Sequence, residues 1–72
     1  MKEIVHCHSG FRYAEKPISF QWGSRENKIK QIVAEWKTES KYHFKVITNT
    51  EYIFQLNYDE KSDCWQIIPN QN

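Results

Sequence analysis

Hydrophobic and polar positions alternate along most of this chain. Ile18, Phe20 and Trp22 interleave with Ser19 and Gln21, the period-2 pattern of a half-buried strand. Tyr42, Phe44 and Val46 interleave with His43 and Lys45, and Tyr52, Phe54, Leu56 and Tyr58 with Ile53, Gln55 and Asn57. The short Asn49-Thr50 between these runs makes a hairpin the simplest connection. Trp65 and Ile67 then face away from Cys64 and Gln66, after the polar turn "DEKSD". At the other end "EIVHCH" alternates weakly, and its β-branched residues favour a first strand. Gly10 and Pro17 punctuate the connection that follows, and "GSREN" reads as a turn.

Residues 27–38 fit two periods. Ile29, Ile32, Val33 and Trp36 match one face of an amphipathic helix. Ile32, Ala34 and Trp36 also alternate, and a bulge near Gln31 would bring Ile29 onto their face. Asn27 stands where a capping box started by Ser24 needs Glu or Gln. The flanking segments are strands joined by short polar turns. The expectation is therefore a strand, the alternative being an α+β fold with residues 27–38 helical.

Five or six antiparallel strands with one aromatic face cannot remain a flat sheet, because that face needs cover and the edges invite association. The predicted fold is all-β: an antiparallel meander curled into a small barrel or roll of the SH3-like kind, with the third strand turning the corner. Seventy-two residues allow one core, expected over residues 1–69 with a loose tail at 70–72. Aromatic residues make up 15% of the chain and bury large areas, so no metal staple is required.

Ten Lys and Arg against nine Asp and Glu lack the basic excess of a dedicated nucleic-acid binder. The apolar runs are too short for a membrane span, and "MKEIVHC" lacks the apolar core of a leader. The expected compartment is the cytoplasm, where Cys7 and Cys64 would be reduced.

Several stretches resemble a family of small uncharacterised bacterial domains of unknown function. They are Pro-x-x-Phe-x-Trp at 17–22, Ile-x-x-Ile-x-x-x-Trp at 29–36, Phe-x-Val-x-Thr at 44–48, Phe-x-Leu-x-Tyr-Asp at 54–59 and Trp-x-Ile at 65–67. The resemblance implies a shared fold, a bacterial source and no particular activity or catalytic residue. Similar sequences usually carry Gly in the turn after Thr48, and this chain does not.

Reactive side chains are sparse. His6, Cys7, His8, His43 and Cys64 are the candidate metal ligands. On a strand, however, Cys7 points away from both neighbouring histidines, and no Cys-x-x-Cys or His-x-x-x-His spacing occurs. The same geometry separates Cys7 from a histidine base. A Cys7–Cys64 disulfide requires the first and last strands to be neighbours. Asp59, Glu60 and Asp63 share one turn with Lys61 and read as a solvated loop rather than an acid–base pair. No phosphate-binding loop or nucleotide fingerprint is present, and no cofactor, metal or enzymatic activity is expected.

Binding surfaces are the stronger reading. The leading expectation is a protein- or peptide-binding accessory domain, monomeric or weakly dimeric, using Phe11, Tyr13 and Trp22 beside the "SGFRY" loop. The alternative is single-stranded nucleic acid held by Arg25, Lys28, Lys30, Lys41, His43 and Lys45, and a second alternative is metal binding through the histidines and cysteines. Lysines on strands also simply deter edge pairing.

Overall fold

A computed structural model describes residues 4–7 and 16–70, with Cys7 described in its backbone alone. Six strands follow in order: β1 Val5–Cys7, β2 Pro17–Trp22, β3 Arg25–Thr38, β4 Lys41–Thr48, β5 Ile53–Asp59 and β6 Cys64–Pro69. Each pairs antiparallel with the next, so sheet order equals chain order. No helix occurs among the described residues, and residues 27–38 are strand.

β3 carries the curvature. Fourteen straight residues would span roughly 46 Å at ~3.3 Å each, more than the 30 Å longest extent of the molecule. The strand bends instead. Its first four residues pair with β2 and the rest with β4, across register shifts between Ile29 and Gln31 and between Ile32 and Ala34. Each shift is a bulge that sets two residues against one and increases the local twist. The sheet thereby rolls into a curled half-barrel, with β1 and β6 at opposite ends of the strand order.

The rolled-in face is the alternation seen in the sequence. Phe20, Phe44, Val46, Phe54, Leu56 and Ile67 form the buried core, with Val5, Ile29, Ile32, Tyr42 and Trp65 packed against it. Phe20 meets Phe54 edge-on at 4.9 Å between ring centres, a geometry that suits the ring quadrupoles. Tyr58 is buried as well and donates its hydroxyl to the carboxylate of Asp63.

The alternation fails as a guide in three places. Ile18 lies on the stretch of β2 skipped between Cys7↔Pro17 and His6↔Ser19, and it is exposed rather than aligned with Phe20. Tyr52 precedes β5 and is exposed. In β3 the first bulge does bring Ile29 and Ile32 onto the core side, as expected, but the second, at Val33, reverses the phase. Glu35 therefore stands opposite buried Phe44, and Trp36 stands opposite His43. Ala34 and Trp36 consequently leave the face of Ile32.

The turns have distinct chemistry. Trp22 pairs with Arg25 around Gly23-Ser24. Gly23 has a φ of 65° and Ser24 has no positive φ, the pattern of a hairpin turn with glycine first. β4 and β5 are joined by a longer loop than Asn49-Thr50. The Glu51 N–H bonds the Thr48 carbonyl, and Glu51 itself is left-handed at φ 73°. At the far end, Asn70 donates to the Ile53 carbonyl and extends the β5–β6 ladder by one residue; residues 71 and 72 lie outside the described residues. Because Asn70 faces β5, the alternation of an antiparallel ladder turns the backbone groups of Pro69 away from β5. Pro69, which has no N–H, sits where a donor would find no partner in β5.

Candidate functional site

The face turned away from the core is ordered in rows by the registers of β3 to β6. One row runs Trp36, His43, Asn57, Gln66. The next on one side is Ala34, Lys45, Gln55, Ile68, and on the other Thr38, Lys41, Asp59, Cys64. At the Val33 bulge, Val33 and Ala34 together oppose Lys45.

The centre of this face is a fixed pair of rings. Trp36 stacks on His43, with centres 5.2 Å apart and planes 15° from parallel. His43 is anchored at both nitrogens: Nδ1 lies 2.7 Å from Asn57 Oδ1 and Nε2 lies 2.7 Å from Thr38 Oγ1. Asn57 Oδ1 also accepts from Gln55 Nε2 at 3.0 Å. An amide oxygen only accepts, so the network assigns the hydrogen to Nδ1, and Nε2 of the neutral ring accepts from the Thr38 hydroxyl. Asn57 is 8% exposed, and Trp36, above the anchored ring, is 43% exposed. A large aromatic surface thus reaches solvent with its orientation set from beneath.

The expected site residues divide among several places. Lys41, His43 and Lys45 project from β4 on this face, and Lys28 on the same side of β3, since its partner is Ser19. Arg25 pairs with Trp22 on the core side. Lys30 is bound to Glu51 at 2.6 Å. Trp22 packs edge-on against Phe54 at 5.6 Å and so serves the rim of the core, while Phe11 and Tyr13 lie outside the described residues. Sequence reasoning missed Trp36 and Asn57 as site residues. The signal for Asn57 lay in its odd spacing from the core positions Phe54 and Leu56, which sets it on the face away from the core, whereas the phase of Trp36 depended on a bulge.

The other candidate chemistry does not assemble. Cys64 is a free, exposed thiol whose Sγ donates to the Ser62 carbonyl at 3.2 Å, so the Cys7–Cys64 disulfide is not formed. Among the described residues no three His, Cys, Asp or Glu side chains stand close enough to hold a metal; His8 lies outside them. The acidic turn is structural. Asp59 Oδ1 accepts the Lys61 N–H at 2.9 Å, and Asp63, left-handed at φ 54°, accepts from Tyr58. Among the described residues no helix is long and apolar enough to cross a membrane.

Comparison with known proteins returned no matching family model, no similar curated protein and no similar solved structure.

Proposed function

We propose that this chain is a non-enzymatic accessory domain that binds an extended segment of a protein partner across the outer face of β3 to β6. The observation that carries the reading is Trp36, exposed yet held by a histidine bonded at both nitrogens. An aromatic surface immobilised before binding loses little side-chain entropy on contact, and Trp is among the residues that dominate interface energies. Around it Gln55 and Gln66 offer amide donors and acceptors, and exposed Val33 and Ile68 offer apolar contact. Lys41 stands opposite Asp59 and Lys45 opposite Gln55 on the same surface, a mixed-charge pattern that suits a peptide better than a polyanion.

A second reading rests on Lys41, His43 and Lys45 standing in one line beside Trp36, which would suit phosphates and stacked bases of single-stranded nucleic acid. The two readings separate experimentally. Peptides selected from a random library against the whole chain should lose at least about tenfold in affinity with Trp36→Ala, a cost of ~1.4 kcal/mol or more. Oligonucleotides should bind weakly even at low salt. Selected peptides that bind Trp36→Ala unchanged contradict the peptide reading, and tight, salt-dependent oligonucleotide binding replaces it with the second.

A further inference from the structure

We propose that the chain forms a weak symmetric dimer, in which the edge of β3 from Val33 to Thr38 pairs antiparallel with the same edge of a second copy. β3 has a neighbour on each side, but not along the same stretch. Its register with β2 ends at Lys28, and among the described residues no strand pairs with that side of β3 beyond it. Every residue from Val33 to Thr38 is exposed.

The backbone groups on this edge follow from the ladder. The Glu60 N–H bonds the Ser40 carbonyl at 2.8 Å, which turns the backbone of Ser40 to β5. By alternation the groups of Lys41 and His43 turn to β3, where they meet Thr38 and Trp36. The groups of Glu35 and Lys37 therefore point away from β4, to the exposed side. Such a row is a template for another strand.

Charge selects the second copy. Glu35 and Lys37 take core-side positions, where charges deter a foreign strand. Three registers of the edge with itself keep the alternation. They set Glu35 opposite Glu35, Lys37 opposite Lys37, or Glu35 opposite Lys37 of the other copy. The third, centred on Trp36, alone brings no like charges together. It closes two equivalent hydrogen-bonded pairs, as a two-fold axis requires. On the outer face it sets Trp36 opposite Trp36 of the second copy, about 4.5 Å apart between Cα atoms, and aromatic cross-strand pairs stabilise a sheet. Glu35 already meets Lys16 at 2.6 Å and Lys37 meets Glu60 at 3.9 Å. Both charges remain half-exposed and open to a second partner. The Val33 bulge ends the run on one side and the turn after Thr38 ends it on the other, so the contact is short and the dimer weak. The pairing rests on the edge of β3 and not on the segment proposed for the outer face.

The test is sedimentation equilibrium of the whole chain at rising concentration, with amide exchange followed by NMR on the same samples. The mean mass should rise from monomer toward dimer. The amides of Glu35 and Lys37 should exchange more slowly as it does, while those of Trp36 and Thr38, already bonded to β4, should not change. Glu35→Lys alone and Lys37→Glu alone each bring like charges together and should weaken self-association at least about tenfold. Both positions are exposed, so both variants should keep dispersed spectra. An equimolar mixture of the two variants restores opposite charges at both pairs and should dimerise as the unaltered chain does. A mean mass that stays monomeric up to about 1 mM overturns the proposal and leaves the edge to a strand of another protein. Dimers that form without slowing the Glu35 and Lys37 amides overturn it too. So do dimers that persist in both single variants, or a mixture that associates no better than its components.

Discussion

Glu51 and Asp63 hold a left-handed backbone with a side chain attached, and Gly23 holds it without one. The left-handed conformation costs an ordinary residue roughly 1–2 kcal/mol, so these positions predict opposite effects. A Cβ at Gly23 would meet nothing within 4 Å, so Gly23→Ala tests conformation alone. It should destabilise by about 1–2 kcal/mol in urea unfolding. Glu51→Gly should stabilise by about 0.5–1 kcal/mol, the relieved strain less the small worth of the exposed Lys30–Glu51 pair. Glu51→Gln is the control. It keeps the strain, loses the charge and should gain nothing. Gly23 was legible in the sequence because a hairpin turn asks for glycine at that place. Glu51 was not, because nothing in "TNTEY" announces which residue takes the turned-over backbone.

At the scale of elements, the strands were legible wherever one face is buried and period 2 holds, as in β4 and β5. β3 was legible only in kind. Ile29 and Ile32 sit three apart because a bulge adds one residue between them, and that spacing is also what a helix produces. The second bulge is anchored by no local signal. Glu35 and Lys37 take core-side positions, where their half-exposed side chains meet Lys16 and the ring of Tyr42. Removing Val33 would restore strict alternation, and a one-residue slip exchanges the faces. Deletion of Val33 should therefore force either Ile32 outward or Trp36 inward and collapse the dispersed amide spectrum. The outer row carries its own prediction. Asn57→Ala leaves the His43 Nδ1–H without its acceptor and should cost about 1–3 kcal/mol. It should also loosen the Trp36 ring, read as a fall in its fluorescence anisotropy.

For the whole molecule, stability rests on one small core with no disulfide across it, since Cys64 is free. Leu56 is fully buried at the middle of that core, and Leu56→Ala should cost about 2–5 kcal/mol. Domains of this size commonly have only a few kcal/mol in hand, so the variant should be substantially unfolded at room temperature by circular dichroism. The same economy explains the division of the surface. The interior takes most of the aromatic residues the strands supply; Trp22 is exposed at the rim of the core, and Trp36 stands on the outer face because the Val33 bulge turns it there. The proposed function depends on that placement, and the ring contacts of Trp36 in solution test it most directly. Nuclear Overhauser effects from the Trp36 indole should reach the His43 ring, 5.2 Å away between centres, and the side chain of Val33. Strong effects from Trp36 to Val46, Phe44 or Leu56 instead would place it in the core and contradict the account.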